Sequence, residues 1–207
     1  CFCADKYIED FVNDFLNQKY QNKIILHIYN IVNSHKNKEK VNNYLHNLNI
    51  NNIIVFDIIN DPGLYEIWNI GIKNCKTDYI TNANLDDRHH PEYSIKFIDY
   101  LDNNIICDIA FSGCYISNTY SKNFKKTFEI SYLKDKNTII YKEDMYNYKK
   151  NRSDNYPHSC PVWRRKIHDI CGYFNNSYDP YSDYDLWLNC IENNMNIMSI
   201  GKILYLY

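Results

Sequence analysis

Glycine and proline are scarce in this 207-residue chain, 5 of each, and no G-x-G-x-x-G or Walker-type pattern occurs. A phosphate cradle made from a glycine-rich loop is therefore excluded, and with it the commoner dehydrogenase and kinase chemistries. Neither a G-x-S-x-G elbow nor H-E-x-x-H is present, which removes the hydrolase and zinc-peptidase readings. Charge of one sign is also lacking: 23 Lys+Arg stand against 25 Asp+Glu, a net −2, so no global field draws the protein to nucleic acid or to anionic membrane. Apolar runs are only a few residues long, far short of the roughly 20 that span a bilayer, and no basic-then-apolar leader opens the chain. A soluble, cytoplasmic protein without a transmembrane segment is expected. The chain begins with Cys1 rather than Met, which leaves room for a preceding piece. Its 8 cysteines (Cys1, Cys3, Cys75, Cys107, Cys114, Cys160, Cys171, Cys190) form no C-x-x-C pair and no Cys/His ligand spacing. They read as mostly reduced, buried small hydrophobes.

What is present is alternation. Phe2-Cys3-Ala4 predicts a short strand, and Tyr7, Ile8, Phe11, Val12, Phe15 and Leu16 recur at helical spacing after it. Ile24–Tyr29 predicts a strand, Val41, Tyr44, Leu45 and Leu48 a helix, and Ile53–Phe56 a strand covered on both faces. After Pro62-Gly63, Leu64, Ile67, Trp68, Gly71, Ile72 and Cys75 predict a third helix, leading into Tyr79-Ile80. Strands alternating with helices imply right-handed crossovers and an α/β fold: a Rossmann-like, mainly parallel sheet flanked by helices. Pro91 is expected in a first helical turn ahead of Ile95, Ile98 and Leu101, and 105–116 reads as strand. Residues 121–156 show little periodicity and suggest an excursion or lid outside the core. Val162–Ile170 predicts a helix stopped at Gly172, and Leu186, Trp187, Cys190 and Ile191 share one face of a last helix. One domain over 1–207 accommodates all of this.

Chemistry concentrates at two places. Asn84-Leu85-Asp86-Asp87 follows a strand, where an open α/β sheet binds ligands, and adjacent carboxylates there suit a hard cation that keeps sites for substrate phosphates. An Asn/Asp-rich surface turn reads the same way locally. Asp183 and Asp185 fall in the first turn of the last helix, where a carboxylate either serves as a general base or simply complements the helix dipole. Arg164-Arg165 either binds phosphate or covers a helix face; His89-His90 are metal ligands or ordinary loop residues; Trp68, Trp163 and Trp187 pack the core or stack on sugar.

The order of these motifs resembles a GT-A glycosyltransferase of the family-2 type. Phe2-Cys3-Ala4-Asp5-Lys6 looks like the end of that family's first strand and its uridine-side loop, Trp68-Asn69-Ile70-Gly71-Ile72 is similar to its Arg-Asn-x-Gly-Ile helix, and Asn84-Leu85-Asp86-Asp87 is similar to its Asp-x-Asp-Asp metal motif. Pro161–Arg165, Gly172-Tyr173-Phe174 and Ser182–Leu188 look like its acceptor-side segment, leaving 121–156 unmatched. Three positions depart from the pattern: Asn84 for Asp, Ser182 for Glu, Trp68 for Arg.

The resemblance implies an inverting transferase that moves a sugar from a nucleotide-diphosphate donor, UDP-sugar favoured, to a hydroxyl of a glycan or other acceptor. Residues 1–90 would form the nucleotide-sugar and metal half and 91–207 the acceptor half. By the same resemblance Ala4, Asp5 and Asn30 lie near the nucleoside, Asn69 on the donor side and Asn84 near ribose, while Asp86 and Asp87 hold Mn²⁺ or Mg²⁺. Asp183 is the base, and Trp163, Arg164 and His158 line the acceptor or phosphate side. Asn84 keeps an acceptor oxygen but brings no charge, so the cation would lean on Asp86 and Asp87. Ser182 is expected to cap its helix. Two other classes fit the same residues: a nucleotidyltransferase of nucleotide-sugar synthesis, and a degenerate, non-catalytic glycan- or protein-binding module.

Overall fold

Helix and strand alternate through the first half of the chain, as the apolar periodicity requires. A 3-10 turn, Ala4–Lys6, leads into α1 (Ile8–Leu16), β1 (Leu26–Ile31), α2 (Lys38–His46), β2 (Ile53–Ile58), α3 (Leu64–Asn74), β3 (Tyr79–Thr81) and β4 (Arg88–His89). There follow α4 (Tyr93–Asn103), β5 (Ile109–Ile116), β6 (Glu129–Ser131), β7 (Ile139–Ile140), α5 (Lys142–Met145), β8 (Tyr146–Asn147) and β9 (Arg152–Ser153). The chain closes with β10 (Val162–Arg164), α6 (His168–Cys171), α7 (Ser182–Glu192) and β11 (Ile197–Leu206). The computed structural model describes residues 3–117, 129–147, 151–158 and 160–207, without the side chains of Asn147 and Arg152.

The principal sheet runs β3-β10-β5-β11-β4, with β6 added to β5 and β7 to β11; β1 and β2 form a separate parallel pair. β5 and β11 are parallel, whereas β10 is antiparallel to both β3 and β5, and β4 to β11. Alternation along β5 builds a core on each side of the sheet. Ile109 and Phe111 face Trp163, Ile167, Phe174, Leu186 and Trp187, packed under α3, α6 and α7. Ala110 and Cys114 face Phe97, Leu101, Leu204 and Tyr205, packed under α4. A third cluster, Ile8, Phe11, Val12, Ile28, Val41, Leu45 and Ile53, holds α1 and α2 on the β1-β2 pair. Burying each such side chain contributes about 1.5–3 kcal/mol. The cysteines among the described residues are all free, and five of them are buried.

Several expectations give way to tertiary structure. Phe2 lies outside the described residues, and Ala4–Lys6 is a 3-10 turn rather than the end of a strand. The Asp5 carboxylate accepts the backbone N–H groups of Lys36 (3.0 Å) and Asn37 (2.5 Å), and the Ala4 N–H donates to His35 Nδ1 (3.2 Å), which bends the segment onto the loop after β1. β2 is covered on one face only: Ile53 and Val55 pack into the cluster with α1 and α2, while Ile54 on the other face is 41% exposed. Pro91 precedes α4, which starts at Tyr93. The helix expected over Val162–Ile170 is instead a strand, a 3-10 turn and the four-residue α6. Val162 and Trp163 pair with β3 on one side and β5 on the other, so two ladders outcompete the helical pattern. Gly172, at φ 74°, does end α6. The excursion is not wholly outside the core either: Ile140 and Met145 are buried in the cluster around Trp163, while the parts of that expectation at 121–128 and 148–150 lie outside the described residues. β11 has no counterpart in the sequence reading, because Gly201-Lys202 breaks its apolar run. Gly201 sits at φ 68°, and the register with β5 shifts there without ending the strand.

Candidate active site

Two loops about 100 residues apart in sequence meet at one cleft. The first leaves β3 at Thr81 and runs to β4. Asp87 is buried to 3% exposure and accepts a hydrogen bond from Asn84 Nδ2 at 3.1 Å, while Asp86 is exposed. β4 is tied down by Arg88, whose Nε and Nη2 both reach the Asp14 carboxylate on α1. His89 turns inward, with Nε2 at 3.5 Å from Cys160 Sγ and its ring edge against Tyr93. Burial depresses its pKa to about 4. Nδ1 of His90 accepts the Glu92 N–H at 3.2 Å. Neither histidine joins a metal-ligand group among the described residues.

The second loop ends at the start of α7. Ser182 does not cap this helix: Tyr181 stands at the cap, and the Ser182 hydroxyl is fully buried with no hydrogen-bond partner among the described residues. Asp183, half-buried, accepts Asn155 Nδ2 at 2.7 Å on Oδ2 and has the Tyr65 hydroxyl 3.4 Å from Oδ1. Burial raises its carboxyl above the ordinary carboxylate value, against the opposing pull of the Asn155 hydrogen bond. Tyr65 is itself pushed up to about 12, by burial and by the Asp183 charge.

These two loops line a common cleft of about 780 Å³, with Asn84 and Asp183 both in its wall. Aromatic and polar side chains complete it: Tyr65 and Trp68 from α3, Tyr132, His158, Tyr181 and Tyr207. Tyr207 links the halves, since Asp87 and Asp86 add to the burial that raises its phenol pKa. His158 stacks on Tyr132 (5.0 Å between ring centres) and meets Tyr207 edge-on (4.6 Å). Burial lowers its pKa to about 4.

On the expected nucleoside side the residues are brought together with each other, but they do not line this cleft. Asn30 is fully buried; its Nδ2 donates to Asn42 Oδ1 and Asp57 Oδ1, both at 2.9 Å. Its Oδ1 lies 2.7 Å from His35 Nε2. The other imidazole nitrogen accepts the Ala4 N–H, so His35 is neutral and donates from Nε2, in keeping with a pKa lowered by burial. Asp57 Oδ2 in turn pairs with His46. His35 and Asp57 were beyond sequence reasoning, as were Tyr65 and Asn155 at the cleft. Asp57 carries a signal only after register is known, because it stands opposite Asn30 across β1-β2.

Three expected site residues serve as scaffold in this arrangement. Asn69 is buried and clamps Phe174, donating to its carbonyl at 2.9 Å and accepting its N–H at 3.0 Å. Trp163, 1% exposed, donates from Nε1 to His168 Nε2 at 2.8 Å and packs 5.5 Å from Trp187. Trp187 is also core, whereas Trp68 reaches the cleft wall. Arg164 donates to the carbonyls of Leu101 (2.7 Å) and Cys107 (2.8 Å), closing the end of α4 rather than facing the cleft.

For a divalent cation the donor set is suitable in kind. Asp87, hydrogen-bonded to Asn84 of the cleft wall, and its exposed neighbour Asp86 are adjacent carboxylates, and hard cations are commonly held by one or two protein carboxylates with substrate phosphates and water in the other positions. No third His, Cys, Asp or Glu joins them among the described residues, so protein ligands alone would leave most of the coordination sphere to substrate and water.

Comparison with known proteins bears on family and fold. The sequence profile described as Glycosyl transferase family 2 matches residues 1–171. No curated protein sequence matches the chain. Among solved structures, S. aureus TarS 1-349 superposes at a TM-score of 0.71 with 13% identity, over 100% of this chain and 58% of that one. The same protein in complex with UDP-GlcNAc gives 0.70 at 15% identity, over 100% and 56%. The mannosyltransferase PcManGT from Pyrobaculum calidifontis, in complex with GDP-Man and Mn2+, gives 0.63 at 8% identity, over 100% and 54%. The chain thus spans little more than half of these neighbours, and at such identities the likeness is one of fold. With four-fifths of its length matched by the profile, the chain belongs to glycosyl transferase family 2.

Proposed function

We propose that this protein is an inverting, metal-assisted glycosyltransferase that uses a nucleotide-diphosphate sugar, with a UDP-sugar favoured and a hydroxyl of a glycan or similar acceptor as the nucleophile. One observation carries the reading: Asn84, hydrogen-bonded to Asp87, shares a cleft wall with Asp183, whose carboxyl is raised by burial. Support for the donor class comes from family membership and from the fold shared with TarS, solved with UDP-GlcNAc, and PcManGT, solved with GDP-Man and Mn2+.

Asp183 takes the proton of the acceptor hydroxyl as its oxygen attacks the anomeric carbon. The bond to the nucleoside diphosphate breaks on the opposite face, and the departing oxygen keeps the electron pair. A carboxylate whose pKa is raised is a stronger base than an ordinary one. Asp86 and Asp87 would hold Mn²⁺ or Mg²⁺, which supplies positive charge to the leaving diphosphate. Tyr65, Trp68 and Tyr181 give the cleft apolar faces of the kind that sugar rings pack against. The donor half (1–90) and acceptor half (91–207) interlock here, since α3 contributes to the wall around Asp183. Free thiols suit a reducing, cytoplasmic setting.

The test is a thermal-shift panel of UDP- and GDP-sugars with and without Mn²⁺, followed by assay of released nucleoside diphosphate. Asp87→Ala should abolish the Mn²⁺-dependent shift. Asp183→Asn should keep the shift and lose transfer by about 10²–10⁴-fold. Unimpaired transfer by Asp183→Asn would remove it as the base, and no shift by any nucleotide sugar would leave a non-catalytic module.

A further inference from the structure

The base candidate is held by a residue that lies outside its own helix and outside every motif read from the sequence. Asn155 comes from the segment after β9, which is turned back on itself by the His158 N–H donating to the Asn155 backbone carbonyl at 3.0 Å, with Oδ1 at 3.3 Å as a weaker second acceptor. Its Nδ2 donates to Asp183 Oδ2 at 2.7 Å. The segment is itself registered against α7 through one atom, the Met145 carbonyl: Asp154 N–H donates to it at 2.7 Å and the Tyr184 hydroxyl at 3.0 Å. On the other carboxylate oxygen the situation is looser. Tyr65 has a single hydroxyl proton, and the Pro180 carbonyl at 2.6 Å is a far closer acceptor than Asp183 Oδ1 at 3.4 Å.

We propose that Asn155 is a positioning residue for Asp183: it immobilises Oδ2, keeps the carboxylate ionised, and leaves Oδ1 as the atom that accepts the acceptor's proton. This rests on the reading of Asp183 as base. A buried carboxylate drifts toward its neutral, useless form unless something bonds the charged state, and a short amide N–H does so without adding a charge that would quench its basicity. The other titratable groups on the cleft wall are Tyr65 from α3, Tyr181 and Tyr184 at the start of α7, and Tyr132, His158 and Tyr207. Burial depresses His158 and raises Tyr65 and Tyr207, so these three are neutral at neutral pH. Asn155 therefore supplies the bond that favours the Asp183 anion without itself titrating.

The experiment is a carboxyl ¹³C NMR titration of aspartate-labelled protein, with the Asp183 signal identified by its loss in Asp183→Asn. Asn155→Ala should move the Asp183 midpoint up by about one pH unit, the equivalent of one hydrogen bond to a charged group. Asn155→Asp, which keeps the size of the side chain but adds a like charge, should move it further. With UDP-GlcNAc and Mn²⁺ as probe, the acid limb of UDP release should shift with the midpoint, while the thermal shift caused by UDP stays at the wild-type value. An unmoved midpoint in both folded variants overturns the proposal and leaves Asp183 as base untouched. A moved midpoint with full turnover by Asp183→Asn overturns the base reading, and the positioning role falls with it.

Discussion

Arg164 separates two accounts of the same residue, since its pairing with Arg165 suggested phosphate binding and its contacts describe a helix clasp. Its guanidinium makes two short hydrogen bonds, to Leu101 O at 2.7 Å and Cys107 O at 2.8 Å, and two long ones, to Asn104 O and the Tyr79 hydroxyl, both at 3.3 Å. It also lies over the Tyr79 ring, 5.4 Å from its centre. The carbonyls of Leu101 and Asn104 belong to the end of α4, where the helix dipole favours a cation. Each short bond from a charged donor is worth about 1.5–3 kcal/mol net, and water can recover part of that because Arg164 is only partly buried. Arg164→Ala should therefore cost about 3 kcal/mol, and for a chain of this length lower Tm by roughly 6–12 °C. Arg164→Lys retains the charge but not the fork, and should restore less than half of the loss. Thermal unfolding followed by circular dichroism reads the first quantity, and UDP titration of the folded variants reads the second. A Tm within a degree of wild type combined with lost UDP binding would refute the clasp and return Arg164 to the phosphate.

Asn69→Ala orphans the N–H and carbonyl of Phe174 in a buried site, so urea unfolding should show a loss of about 2–4 kcal/mol; a change below about 0.5 kcal/mol would refute the clamp. His89 is partly buried, and its desolvation holds its pKa at about 4 against an ordinary 6.5. The unfolded chain therefore binds a proton that the native protein refuses, and the stabilisation is complete above pH 6.5 and lost as pH falls toward about 4. Tm measured between pH 7 and pH 5 should fall less steeply in His89→Phe than in wild type, and parallel slopes would count against this.

Elements built from local periodicity were legible before any coordinates: α1, α2, α3, α7 and β1 stand where apolar spacing placed them, give or take a turn. The turn after β3 was legible too, because an apolar run that breaks into Asn and Asp marks the strand end at which an α/β sheet presents ligands. β10 was not, and the reason is physical. Val162, Trp163, Ile167 and Ile170 fit a helix on local spacing, while the ladders to β3 and β5 that make Val162–Arg164 a strand involve partners about 50 and 80 residues away. β11 escaped for a related reason, since Gly201 at positive φ looks like a stop until its neighbours are known to pair with β5 on both sides of the bulge.

The candidate site divides along the same line. Motif order and its resemblance to a family marked Asp86, Asp87 and Asp183, since taken singly a carboxylate at a strand's end or in a helix's first turn also reads as a surface turn or a helix-dipole residue. Which polar residues surround them was decided only in three dimensions. Asn69, Trp163 and Arg164 look like site residues in the linear chain, yet their hydrogen bonds go to Phe174, His168 and the end of α4. Asn155 and Tyr65, which carry no motif, are the side chains that touch Asp183. A motif records the chemistry a chain carries, but a contact between residues 28 or 118 positions apart exists only once the sheet has closed and brought them together.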